Sequence, residues 1–159
     1  PDLSIQHQGV VIIKGERRCV LQPGKHLQER EVIDSLLPLS VQEEFSAASA
    51  ACLLVKADRF DAVGGFDENF AVVFNDVDLC MRVTEAGYKI VWEPRCTLYH
   101  FESKSRGSDT YGEKAKRFRR ELEYMKDTWG RRIEVDPHFN PHFSLRAAPF
   151  QAIREPRIV

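Results

Sequence analysis

The sequence has no apolar run long enough to cross a bilayer, and no stretch of it reads as a secretory leader. Contact with a membrane is therefore expected to be peripheral at most. Cysteine is scarce. Cys19, Cys52, Cys80 and Cys96 form no CxxC pair, and three of the four sit in apolar stretches, so they are expected to be reduced, buried thiols rather than a disulfide framework. The five histidines and four cysteines show no zinc-ligand spacing. No charge of one sign dominates: 23 Lys and Arg against 24 Asp and Glu leave a net charge of −1, which speaks against a dedicated nucleic-acid binder. Internal repeats and low-complexity tracts are also missing.

What remains is a chain of 159 residues, 43% hydrophobic and 30% charged, the composition of a soluble globular domain with a sizeable core. It begins at Pro1, and the stretch 5–13, IQHQGVVII, already reads as a buried internal strand. A fragment of a longer protein, or a processed one, is expected. Residues 14–45 read as a long surface loop punctuated by Gly15, Pro23, Gly24 and Pro38, with one short helix over 29–37. Residues 46–55, SAASAACLLV, read as a central strand. A short helix over 56–63 is expected to bury Phe60 and Val63 and to stop at Gly64-Gly65.

Asn75 suits a helix N-cap, with Asp78 three positions on. Val77, Cys80 and Val83, beside Leu79 and Ala86, give the helix an apolar stripe that ends at Gly87. Strands are expected over 88–92 and, briefly, over 96–100. After the small, basic segment SKSRGS comes the longest helix, opened by Thr110 and Glu113 as a capping box. Tyr111, Ala115, Phe118, Leu122, Met125 and Trp129 share one of its faces, and Gly130 stops it. Lys114, Lys116, Arg117, Arg119 and Arg120 stand with Glu113, Glu121 and Glu123 on its polar side. That side reads first as a solvated face and second as a surface for anionic lipid. The proline-rich tail is expected to be an extended strap whose aromatics pack on the body. Helices and strands alternate, which predicts an α/β fold with a partly parallel sheet.

The most informative stretch runs from Ala50 to Arg106. In order it reads AACLLVKADRFDAVGGFDENF, NDVDLCMRVTEAGYKIVWEP and LYHFESKSRG. This resembles the C-terminal half of family 2 glycosyltransferases of the GT-A fold, and IQHQGVV and DPHFNPHFSL fit the bacterial members that build O-antigen and related surface glycans. The resemblance implies a partial GT-A-like, three-layer α/β fold with a mixed sheet, a long C-terminal helix and an extended tail. Residues 1–135 would form the acceptor-side half of the domain and residues 136–159 the tail, the donor-binding half being absent. It further implies inverting transfer of a hexosyl-type group from a nucleotide-diphosphate sugar to a glycan or lipid-linked acceptor, in the cytoplasm or at the inner membrane face.

Inverting transfer needs a base that takes the proton of the attacking hydroxyl. A carboxylate at a helix N-terminus is fixed in direction and kept ionised by the dipole. By spacing alone, Asp76 and Asp78 serve equally as first-turn helix residues. By the resemblance, Asp76 is the base, with Asn75 standing where most members carry Glu, and Asp78 supports the helix start or the acceptor pocket. Asp67 and Glu68 border the acceptor site, although a polar turn anchored by Phe66 fits them as well. Arg106 and Lys104 would neutralise the diphosphate, or be a solvated basic loop. His100 would complete a Mg²⁺ or Mn²⁺ site whose main ligands lie in the missing half, since a lone His holds a hard cation poorly. The alternative is a non-catalytic glycan-binding or interaction module of the same fold. Exposed apolar sheet surface is expected to drive self-association into a homo-oligomer.

Overall fold

In a computed structural model of the chain, residues 10–12, 20–21, 41–98 and 112–142 are described. The expected helix over 29–37, the capping residue Thr110, the face residue Tyr111 and the segment 103–108 lie outside them.

Strand β1, Val11–Ile12, pairs antiparallel with β2, Val20–Leu21. Val10 and Ile12 are buried, as their β-branched apolar run predicts. Strand β3, Glu43–Phe45, pairs antiparallel with β4, Ile90–Trp92, with Phe45 opposite Ile90. Val10 and Ala47 form an antiparallel bridge. Every described strand pairing is therefore antiparallel, against the expected partly parallel sheet, so the described part is mixed α/β without a parallel crossover. Two strands also fall inside 14–45, which reads as a loop because Gly and Pro interrupt its apolar pairs.

Residues 46–55 are not a central strand. Beyond the bridge at Ala47 the chain turns into a short 3-10 helix, Ala50–Cys52, capped by Ser49, whose Oγ accepts from Ala51 N at 3.3 Å. Leu54 ends up 98% exposed.

Helix α1, Ala57–Ala62, buries no residue fully. Phe60 and Val63 are half-buried, because Phe60 packs edge-on against the exposed Phe66, 5.4 Å between ring centres, instead of entering the core. The helix stops at Gly64 and Gly65, with φ of 81° and 69°. A Cβ on Gly65 would also approach the Phe60 ring to 3.1 Å, so glycine is required there twice over.

Helix α2, Asn75–Glu85, carries the apolar stripe. Val77, Leu79, Cys80, Met81 and Val83 are buried, whereas Ala86 lies exposed past the helix end. Burial of Leu79 alone is worth roughly 2 kcal/mol. The helix closes with Gly87 N donating to Thr84 O and Tyr88 N to Val83 O, a Schellman ending in which Gly87 takes φ 88°. Its start departs from expectation. The cap is Phe74 in a left-handed conformation, φ 65°, and Asn75 is the first helical residue. A bulky residue there costs about 1–3 kcal/mol, offset by burial of its ring 5.9 Å from that of Phe118.

Helix α3, Gly112–Trp129, lays Leu122, Met125 and Trp129 into the same core. At Gly130 it narrows into a 3-10 turn, Gly130–Ile133, which buries Ile133. Asp136 is buried too. One of its oxygens accepts from Ile12 N and the other from His138 N at 2.7 Å, tying the start of the tail to β1. Phe139 and Trp92 both pack against Phe45.

Candidate functional site

Helix α2 presents its N-terminus with Asn75, Asp76 and Asp78 in the first turn. Asn75 Oδ1 accepts from Asp76 N at 2.8 Å. Asp76 Oδ1 accepts from Val77 N, and its Oδ2 accepts from Ala50 N, both at 2.9 Å. The carboxylate thus spans from its own helix to the 3-10 turn and is held in one orientation while still half-open to solvent. Each oxygen keeps a lone pair beyond its backbone partner, so the group can accept one further proton donor. The strained Phe74, two residues before Asp76, is where the chain enters this first turn.

Asp78 is 1% exposed and faces the interior. Its Oδ1 accepts from the indole N–H of Trp129 at 3.0 Å; its Oδ2 accepts from Arg82 Nε at 2.8 Å and from an Arg82 terminal nitrogen at 2.6 Å. The other Arg82 terminal nitrogen donates to Val63 O. Asp78 therefore joins α2 to α3 and to the end of α1 and presents no oxygen to an acceptor. It fastens the start of α2.

Asp67 and Glu68 follow Phe66 in the turn after α1. Asp67 Oδ1 accepts from Asn69 N at 2.9 Å, and its Oδ2 accepts from Tyr124 OH at 2.9 Å. The Asn69 backbone N–H, aided by Tyr124 and the Asn69 amide and opposed by partial desolvation, holds the Asp67 carboxyl below its ordinary value. Glu68 is exposed. A cleft of about 350 Å³ opens beside this turn, lined by Ala50, Leu53, Val55, Phe60, Phe66 and Leu79 among others. It is mostly apolar, and its wall at Ala50 is the residue whose N–H holds Asp76. Asp76 and Asp78 thus share the first turn of α2, and Asp67 and Asp78 are both anchored on α3, through Tyr124 and Trp129.

His100, Lys104 and Arg106 lie outside the described residues. Among the described residues, no three His, Cys, Asp or Glu side chains group as a metal site. No helix among them is long and apolar enough to cross a membrane.

The cysteines depart from expectation: Cys80 is buried, but Cys52 and Cys96 are exposed. Burial pushes the Cys80 thiol up to about 11, so it is an inert packing group whose sulfur accepts from Ala48 N at 3.4 Å.

Sequence reasoning missed Glu121, which it placed on the solvated face of α3. Glu121 is fully buried, and its Oε2 accepts from Val72 N at 3.2 Å and Val73 N at 2.7 Å, clamping the segment that leads into Phe74. Arg117 lies 3.7 Å from its other oxygen. The available signal was position: Glu121 directly precedes Leu122 and stands four residues before Met125, at the border of the apolar stripe.

These features define a mixed α/β unit with a fixed, half-exposed carboxylate at a helix start beside an apolar cleft. Comparison with known proteins narrows the class. The chain is 44% identical over 154 residues to protein y4gI of Sinorhizobium fredii, covering 94% of this chain and 16% of that protein. It is 29% identical over 160 residues to the O-antigen biosynthesis protein RfbC of Myxococcus xanthus, covering 98% of this chain and 12% of that protein. Over 61 residues, 38% of this chain, it is 41% identical to the N-acetylglucosaminyl-diphospho-decaprenol L-rhamnosyltransferase of Mycobacterium tuberculosis, covering 20% of that protein. The chain thus spans only 12% to 20% of the length of these relatives. No family model matches it, and no solved structure matches it. It is similar to proteins named for O-antigen biosynthesis and for L-rhamnosyl transfer.

Proposed function

We propose that the chain is the acceptor-side part of an inverting, family 2-type glycosyltransferase with a GT-A-like fold, acting in surface-glycan synthesis, and that Asp76 is its general base. The observation that carries this reading is the Asp76 carboxylate, fixed by Ala50 N and Val77 N and half-open at the start of α2. A base so held needs little reorganisation when an acceptor hydroxyl approaches. Similarity to the rhamnosyltransferase and to RfbC supports sugar transfer as the chemistry.

In this reading the acceptor, a glycan or a lipid-linked sugar, lies over the cleft with a sugar face against Phe66, which is 46% exposed, and polar contacts to Glu68 and Asp67. Its hydroxyl gives its proton to Asp76 as it attacks the anomeric carbon of a nucleotide-diphosphate sugar. Asp78 positions α2 through Trp129 and Arg82. Arg106 and Lys104 offset charge on the departing diphosphate. His100 adds one ligand to Mg²⁺ or Mn²⁺, held mainly by residues of the longer parent protein. The described residues offer no three-ligand cluster of their own, and no step is routed through the ion. The basic side of α3 would bring the enzyme to an anionic membrane face, and the exposed Leu54 and Leu98 would support association with the parent's remainder or a second copy.

The test is transfer by the full-length parent from a panel of nucleotide sugars with Mn²⁺, reading the anomeric configuration of the product by NMR. An inverted linkage is expected; a retained one would remove the base role. One observation favours a second reading, a non-catalytic glycan-binding module. Both Asp76 oxygens already accept backbone N–H bonds, as a purely structural residue would. Glycan binding by the parent without turnover of any donor would select that module.

A further inference from the structure

Cys52 and Cys96 are separated by 44 positions in sequence, yet their sulfurs approach to 3.9 Å. Both side chains are exposed. Cys52 is the last residue of the 3-10 turn. Cys96 stands in the turn after β4, where its N–H donates to Glu93 O at 3.1 Å. The separation is van der Waals contact between sulfurs, about 2 Å longer than a disulfide bond, a gap that side-chain rotation can close. Neither thiol contributes to the core, in contrast to Cys80, which packs against Ala48.

We propose that Cys52 and Cys96 form a dithiol site that reacts with a small-molecule disulfide, such as oxidised glutathione, and closes reversibly into an intramolecular disulfide. One cysteine thiolate attacks the small disulfide, releasing a first small thiol and leaving a mixed disulfide. The second cysteine, deprotonated, attacks the protein sulfur of that mixed disulfide and expels the second small thiol. The two protein S–H protons end on the released thiols, the protein loses two electrons, and the small disulfide gains them. Contact with Cys96 holds the Cys52 thiol above its ordinary value, so closure accelerates as pH rises above neutral.

Closure ties the exit of β4 to the 3-10 turn that begins at Ala50, the residue whose N–H holds Asp76. It therefore fixes one wall of the cleft, whatever chemistry the cleft serves.

The experiment equilibrates the chain, dilute, in buffers of oxidised and reduced glutathione, blocks remaining thiols by alkylation, and maps peptides by mass spectrometry without reduction. The expected result is a Cys52–Cys96 linked peptide, the loss of two free thiols without chain dimers, and a Tm higher by roughly 5–10 °C. Cys52→Ser, an exposed and conservative change, is expected to keep the fold, leave a single glutathione adduct on Cys96 and abolish the Tm rise. Separate glutathione adducts on Cys52 and Cys96 in the unsubstituted chain, or a disulfide joining two chains through either residue, would overturn the proposal.

Discussion

Replacing Asp78 separates a structural carboxylate from a ligand-binding one. Its carboxylate is 1% exposed and accepts three bonds, one from Trp129 and two from Arg82. Asp78→Ala would leave a buried indole N–H without an acceptor, at about 1–3 kcal/mol. It would also strand the Arg82 guanidinium, whose side chain is 23% exposed and hence partly rehydrated. Removing one partner of a fully buried ion pair costs about 3–5 kcal/mol, and the partial exposure of Arg82 brings the expected total to about 3–4 kcal/mol. Asp78→Asn keeps an acceptor for Trp129 and gives up the charge, for about 1–2 kcal/mol. With a urea m-value of about 2 kcal/mol/M, the midpoint of unfolding followed by circular dichroism should fall by about 1.5–2 M for Asp78→Ala and by less than about 1 M for Asp78→Asn, at unchanged m. Both variants within about 0.3 M of the parent would show that the Asp78 network carries no stability, and the structural role given to Asp78 would be refuted.

Glu121→Ala should lower stability by about 3 kcal/mol, because it leaves Val72 and Val73 N–H without their buried acceptor, whereas Glu121→Gln keeps an acceptor and should cost less than half as much; thermal unfolding checks both. Asp67 has a folded-state pKa below its unfolded value, so its contribution is full above the unfolded value near pH 4 and is lost as pH falls through the folded one. Asp67→Asn should accordingly flatten the decline of Tm on the acid side of about pH 4 and leave its shape near pH 7 unchanged. Phe139→Ala should uncover Phe45, with a loss of about 1–2 kcal/mol that thermal unfolding measures. Light scattering at high concentration should find self-associated chain, given Leu54 at 98% and Leu98 at 67% exposure, and a monodisperse monomer would contradict this.

The helices were the legible part of the sequence. The 3.6-residue period of Val77, Cys80 and Val83 and the stripe of Leu122, Met125 and Trp129 correspond to buried faces, and Gly64-Gly65 and Gly87 end helices by adopting positive φ. Strand positions were harder, because the described strands are only two or three residues long and their partners lie far away in sequence. The segment 46–55 has the composition of a close-packed strand, but Ser49 offers its side chain to the backbone and the 3-10 turn takes over. Polar groups misled most. Glu121 reads as part of a solvated helix face and Asp136 as the start of an extended strap, yet both are buried because each serves backbone N–H groups that no secondary-structure pattern reveals. For the candidate site, the position of Asp76 at a helix start was legible. Its long-range partner, Ala50 N, was not, since a backbone donor leaves no mark in side-chain spacing.

The most direct measurement of the central claim is the rate of sugar transfer by the full-length parent with Asp76 and with Asp76→Asn, alongside the affinity of each for the nucleotide sugar. Asparagine keeps the shape and one acceptor for the backbone while removing the basicity. The account predicts a fall in turnover of roughly 10²–10⁴-fold with donor affinity retained. Unchanged turnover would contradict it and leave Asp76 as the residue that fastens α2 to Ala50.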